Sequence, residues 1–106
     1  MNNLVKSKWV AALRSGEYWQ VQGRLRRDTG NCCLGVLCDL HAIETGGTWS
    51  HNCEEEYEYF HHSGTLPDVV VSWAGLPIGY ETMCANMNDR GLSFHQIADF
   101  IESSGG

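Results

Sequence analysis

Apolar residues recur at the spacing of an amphipathic helix near both ends of the chain. The pattern predicts one helix over residues 3–14, with an asparagine before it and Gly16 after it. It predicts another after Ser93, whose hydroxyl would form a capping box with the side chain of Gln96. The two apolar stripes consist of Val5, Trp9, Ala12 and Leu13, and of Phe94, Ile97, Ala98 and Ile101.

Between residues 18 and 27 the apolar spacing changes to a period of two. Alternation of apolar and polar residues predicts a half-buried strand here. The inward positions would be Trp19, Val21, Gly23 and Leu25. The outward row would be Tyr18, Gln20, Gln22, Arg24 and Arg26, which places two amides and two guanidiniums side by side.

The segment NCCLGVLCDL, residues 31–40, begins the most apolar part of the chain. Leu34, Leu37, Cys38 and His41 share one helical stripe. We therefore predict a mostly buried helix from Cys33 to Glu44, closed by the glycine pair at 46–47. Cys38 belongs to the core in this register, whereas Cys32 and Cys33 lie at the helix start.

The remaining patterns complete the fold prediction. Residues 48–51 and 55–62 alternate as the two strands of a hairpin, and residues 67–75 and 80–88 favour two short helices. The order of elements predicts an α+β class, with a small antiparallel sheet packed against four or five short helices. At 106 residues the chain is long enough for one core, so we expect a single domain over residues 1–106.

Charge narrows the classes of partner. The first 27 residues carry six basic side chains against one acid, and the rest carry one against twelve, which gives a net charge of −6. A net acidic chain is a poor general binder of nucleic acid. No stretch predicts a membrane span or a signal peptide, and an odd number of cysteines, five, indicates reduced thiols in a cytoplasmic protein.

A family resemblance extends over nearly the whole chain. The residues that carry it are Ala12 to Gly16 with Tyr18, Gln20, Gly23 and Leu25; Cys32 to Leu40; Leu66, Pro67, Trp73, Gly75 and Leu76; and Asn88, Asp89, Gly91, Ser93, Phe94, Ile97, Ala98, Ile101 and Glu102. On these residues the chain resembles a widespread group of small phage and prophage proteins. The resemblance implies a phage-encoded accessory protein in the cytoplasm of an infected bacterium, and it transfers no catalytic or ligand residue. Such accessory proteins often antagonise host defence by binding a defence protein or sequestering a nucleotide signal.

The outward row of the predicted strand at residues 18–27 supplies most of the candidate ligand-binding site. Guanidinium forks match phosphate oxygens, and amides on the same face can bond a base. The candidate ligand-binding residues are Tyr18, Gln20, Gln22, Arg24, Arg26, Asn86, Asn88 and Asp89. We expect a non-catalytic protein that sequesters a small anionic nucleotide-type ligand, as a homo-oligomer if the pocket lies between protomers, with no metal and no cofactor.

Three alternatives stay open. Cys33 at a helix start, with His61, would suit a cysteine amidase or a nucleotide-cleaving enzyme. A zinc site would use Cys38, His41, His51 and Cys53. The acidic strand 54–58 would suit an inhibitor that binds a host defence protein.

Overall fold

The computed structural model describes residues 1–51 and 57–104, and within them it has five helices and four short strands. These are α1 (Asn3–Arg14), β1 (Arg26–Arg27), β2 (Gly30–Asn31), α2 (Cys33–Thr45), β3 (Trp49–His51), β4 (Tyr57–Tyr59), α3 (Asp68–Ala74), α4 (Tyr80–Asp89) and α5 (Phe94–Ser103). The strands form two antiparallel pairs, β1 with β2 and β3 with β4. The α+β class predicted from the sequence is confirmed, with two small sheets in place of one.

Helix α2 lies at the centre of the core. Helices α1, α3 and α4 pack against it, and α1 also packs along α5. The first six residues of α2, Cys33–Cys38, are all buried. Trp9 of α1 is fully buried as well, and its indole N–H donates to the carbonyl of Cys33 at 2.9 Å. Burial of such side chains, at about 1.5–3 kcal/mol each, is the main source of stability.

The start of α2 depends on a close approach of backbone. The Cys32 Sγ caps the helix by accepting the N–H of Gly35 at 3.4 Å. A Cβ on Gly35 would lie 1.8 Å from the carbonyl oxygen of Leu25, so the preceding loop rests directly on the first turn of the helix. The cap by Cys32 and the close backbone approach at Gly35 therefore account for the small residues at the start of α2.

The last helix begins as the sequence predicts. The N–H of Gln96 donates to the Ser93 Oγ, and the N–H of Ser93 donates to the Gln96 Oε1, which is a complete capping box. Arg14 at the end of α1 forms ion pairs with Asp99 and Glu102 of α5. The two terminal helices are thus joined by apolar packing and by one exposed cluster of charges.

The strand predicted over residues 18–27 is wrong for most of its length. Only Arg26–Arg27 is a strand, and Gln20 adds a single isolated bridge to Asn31. Gly23 has a φ of +79°, which turns the chain away from an extended path. Trp19 is consequently 79% exposed instead of buried, and of the four inward positions only Leu25 is fully buried.

The hairpin predicted around residues 48–62 is present as β3 and β4, with Trp49 opposite Tyr59. A second tight turn follows, in which Tyr59 and His62 exchange two backbone hydrogen bonds around Phe60 and His61. Both central residues have positive φ, 49° and 67°, as in a type I′ turn that normally carries Asn-Gly. Left-handed backbone costs a side-chain-bearing residue about 1–2 kcal/mol, so this turn is strained.

Among the described residues, no helix has the length and apolar character needed to cross a membrane.

Candidate ligand-binding surface

Two of the predicted site residues, Gln20 and Asn88, form a buried junction. Asn88 is 1% exposed, and its Oδ1 accepts from the Gln20 Nε2 at 2.9 Å and from the N–H of Cys33 at 3.1 Å. Its Nδ2 donates to the carbonyl of Val21 at 2.8 Å. Gln20 also donates to the carbonyl of Leu92. These amides hold the loop before β1 against α2 and α4.

Arg24 and Asp89 lie beside this junction. The Asp89 Oδ1 accepts the N–H of Gly23 at 3.1 Å, and the Arg24 Nη1 donates to the Gly23 carbonyl at 2.9 Å. Both side chains line a cleft of about 50 Å³, which has the size of a water site rather than a nucleotide pocket. The structure therefore brings three of the candidate residues, Arg24, Asn88 and Asp89, together around a very small space.

Arg26 lies in a stack of aromatic rings on the β3–β4 hairpin. Its guanidinium carbon is 4.1 Å from the centre of the Tyr57 ring and 5.3 Å from that of Trp49. His51 stacks on Tyr57 with ring centres 4.5 Å apart. His51 and Arg26 therefore both lie against the Tyr57 ring. We call His51, Tyr57, Arg26 and Trp49 the arginine–aromatic stack.

Two carboxylates fix the rings around this stack. Asp39 of α2 accepts from the Tyr18 hydroxyl at 2.6 Å and from the Trp49 indole at 3.2 Å. Burial and this hydrogen bond raise the pKa of Tyr18 well above its usual range, so the phenol stays protonated. Asp28 lies 3.4 Å from the His51 Nε2 and hydrogen-bonds to Tyr57, which raises the pKa of that phenol.

Sequence reasoning missed several members of this surface. Two predicted site residues, Gln22 and Asn86, have exposed side chains. Three residues that were not predicted for the site contribute to the position of Arg26: its guanidinium lies over Tyr57 and near Trp49, and Asp39 holds the Trp49 indole. Arg27 was also missed, although a Cβ on Gly23 would lie 3.9 Å from its Nη2. Because residues 21–25 bend, Arg24 and Arg27 approach the same glycine, and the expected pairing of Arg24 with Arg26 along one strand face is wrong.

Residues 1–105 match a protein family described as a domain of unknown function, DUF8296. The chain belongs to this family. No curated protein matches the chain, and no solved structure matches it. The family has no described function, so the chemistry of the site is inferred from its geometry.

The thiols of the described residues are poor nucleophiles. Cys32, Cys33, Cys38 and Cys84 are all free and buried. Burial raises the pKa of Cys33 well above its usual value and raises that of Cys84 to about 12. The Cys33 Sγ also donates to the carbonyl of Cys84. The thiolate expected from the position of Cys33 at a helix start is thus disfavoured, because desolvation outweighs the effect of the helix terminus.

The other two alternatives extend outside the described residues. Cys53 of the zinc set and residues 54–56 of the acidic strand lie in the part of the chain that the structure leaves undescribed. Within residues 1–51 and 57–104, no group of three histidine, cysteine or acidic side chains has the arrangement of a metal site. His41 instead contacts aromatic rings, and Cys38 is part of the core.

His41 is a buried titratable group on α2. It is 4% exposed, its Nδ1 lies 2.6 Å from the Tyr59 hydroxyl, and its ring packs edge-on against Trp73. Desolvation lowers its pKa below 6.5, with a partly opposing effect of Glu44. The folded state therefore favours the neutral imidazole, whose Nδ1 forms a hydrogen bond with the Tyr59 hydroxyl.

This pKa shift predicts a loss of stability in acid. Below about pH 6.5 the unfolded chain binds a proton at His41 more readily than the folded chain does, so the free energy of unfolding falls as the pH decreases toward the folded pKa. Urea unfolding between pH 7.5 and 5 measures this slope, and His41→Gln should flatten it. His95→Gln, at an exposed position, is the control; an equal slope in wild type and His41→Gln would contradict the assignment.

Proposed function

We propose that the protein is a non-catalytic, phage-encoded accessory protein that counters bacterial host defence in the cytoplasm of the infected cell. It acts by sequestering a small anionic nucleotide-type signal. The observation that carries this proposal is the arginine–aromatic stack, in which the Arg26 guanidinium lies over Tyr57 and beside Trp49. The raised pKa values of the buried thiols support binding over thiol catalysis.

The stack offers both kinds of contact that a nucleotide needs. A guanidinium donates paired hydrogen bonds to phosphate oxygens, and its flat face, like an aromatic ring, stacks on a base. Arg24 and Arg27 add two further positive charges within the same four-residue segment. The ring and hydrogen-bond contacts of Tyr57, Trp49 and Asp39 order Arg26 in advance, which reduces the entropy cost of binding.

The size of the cleft indicates how the ligand is held. The cleft beside Arg24 is about 50 Å³, whereas pockets that enclose small ligands measure about 300–1,000 Å³. A nucleotide on this face of one protomer is therefore held at an open surface. We propose that a second copy of the chain covers it, so that the binding unit is a homo-oligomer with the arginines of two protomers around one ligand.

Arg26→Lys is expected to weaken nucleotide binding by about tenfold or more. The substitution keeps the positive charge and removes the planar fork and the stacking face. Titration calorimetry with a panel of cyclic oligonucleotides and ADP-ribose-type nucleotides measures the change. Circular dichroism would confirm that the variant stays folded, because Arg26 is half-buried on a short strand.

Lys8→Ala is the matched control, since Lys8 lies on α1 in an exposed ion pair with Glu44 and should leave affinity unchanged. A second variant, Arg24→Ala combined with Arg26→Ala, should abolish binding. If no nucleotide of the panel gives heat with the wild-type protein, the proposed ligand class is refuted. Equal affinities in wild type and Arg26→Lys would refute the role of the stack.

A further inference from the structure

The strained turn after β4 borders an open hollow that the proposed function does not use. The hollow measures about 250 Å³ and is lined by Gly46, Gly47, Thr48, Ser50, Phe60 and His61. Phe60 is 52% exposed, yet its ring packs edge-on against Tyr59 with centres 4.9 Å apart. An aromatic ring is thus held in a fixed position at the edge of the hollow with about half of its surface open to solvent.

The hollow lies on the opposite side of the hairpin from the arginine–aromatic stack. Successive side chains on a strand point to opposite faces, and Trp49 and His51 both belong to the stack. Ser50, between them, therefore faces the other way, toward the hollow. The two surfaces are separate, so a ligand in the hollow does not depend on the proposed nucleotide site.

Backbone strain in this turn indicates that Phe60 and His61 serve more than folding. Asn-Gly would adopt positive φ at both positions with little strain, whereas a phenyl and an imidazole do so at a cost. Residues in strained conformations persist only where the surrounding structure holds them, and they cluster at binding and catalytic sites. Here the strain places both side chains at the wall of the hollow.

The lining determines the class of ligand. Its described lining combines a phenyl ring with two hydroxyls, an imidazole and the peptide groups of a glycine pair, and none of these described residues carries a carboxylate, ammonium or guanidinium. We propose that the hollow is a second binding site, for an uncharged planar heteroaromatic ring of about the size of a nucleobase. The ring stacks on Phe60, and its edge exchanges hydrogen bonds with Thr48, Ser50 and His61.

Adenosine and uridine are the probes, and ¹H–¹⁵N correlation spectra of the full chain provide the readout. The proposal predicts saturable shifts at millimolar nucleoside for the amides of Gly46, Gly47 and His61. Phe60→Asn should abolish them, while the control Lys8→Ala should keep them. His61→Gly removes strain without removing the phenyl platform, so the shifts at Gly46 and Gly47 should remain at lower affinity.

Thermal unfolding tests the strain independently. His61→Gly permits the positive φ without strain and keeps the packing of Phe60 on Tyr59, so it should raise Tm by about 4–8 °C. A lowered Tm in this variant would refute the strain on which the proposal rests.

The nucleoside titration can refute the proposal in three ways. Neither nucleoside gives saturable shifts, the shifts persist in Phe60→Asn, or the shifts are confined to the amides of Arg26 and Arg27. The last outcome would assign the nucleoside to the arginine–aromatic stack instead.

Discussion

Asn88→Ala is expected to lower the free energy of unfolding by about 3 kcal/mol or more. Asn88 is 1% exposed and satisfies three partners at once, the side-chain amide of Gln20, the N–H of Cys33 and the carbonyl of Val21. Removing its amide leaves a buried backbone donor, the N–H of Cys33, and a partly buried backbone acceptor, the carbonyl of Val21, without this partner. Each such group costs about 1–3 kcal/mol, and the vacated volume adds a further loss.

Urea unfolding followed by circular dichroism measures this difference. Asn86→Ala is a closely matched control, because Asn86 lies two residues away on the same helix with its side chain exposed. Its effect should stay within about 0.5 kcal/mol. Equal stabilities of the two variants would show that the junction around Asn88 does not hold the fold.

Gly35→Ala is expected to destabilise the protein by about 3 kcal/mol, although alanine is the better helix former by about 1 kcal/mol. The new Cβ would lie 1.8 Å from the Leu25 carbonyl oxygen and 2.7 Å from its carbon. These are backbone atoms of a loop that also bonds to the N–H of Cys32. Relief of the clash therefore requires α2 to separate from the loop, which opens the most buried part of the core.

Gly64→Ala provides the comparison for this substitution. A Cβ at Gly64 would meet nothing within 4 Å, and its backbone is not left-handed, so the change should be neutral or slightly stabilising. Denaturant midpoints of both variants give the difference directly. A Gly35→Ala protein as stable as the wild type would contradict the packing of α2 on the loop.

Helices were the part of the fold that local pattern determines best. The bounds predicted for α1 are those observed, and α2 differs by one residue at its end. In both helices the apolar stripe and the glycine that follows the last turn indicate the same bounds. The capping box at Ser93 is likewise a local signal, and its two hydrogen bonds are present.

The segment before β1 shows where local pattern fails. Its alternation resembles a strand, but the left-handed Gly23 and the tertiary contacts of Gln20 determine its path. Gln20 contacts Asn88 and Leu92, and Gly23 contacts Asp89, so these partners lie 66 to 72 residues farther along the chain. Alternation over a few residues carries no information about such partners, so Trp19 was placed in the core although it is 79% exposed.

The surroundings of the candidate site residues likewise depend on contacts between distant parts of the chain. Arg24, Asn88 and Asp89 do meet, yet the hydrogen-bonding capacity of Asn88 is used inside the protein. Arg26 is placed by Trp49 and Tyr57 on a different hairpin, a contact that spacing along the sequence does not reveal. The ligand-binding role of these residues stays a prediction. The junction around Asn88 nevertheless gives the arginine segment a fixed anchor, as a preorganised binding surface requires.

Native mass spectrometry of the full chain, incubated with nucleotides of the panel, tests the central claim most directly. We expect a homo-oligomer that carries a nucleotide of unchanged mass, released intact on denaturation. The bound species should be lost in Arg26→Lys and kept in Lys8→Ala. Recovery of a cleaved nucleotide would identify an enzyme, and a protein that binds none of the panel in any oligomeric state would contradict the proposed sequestration.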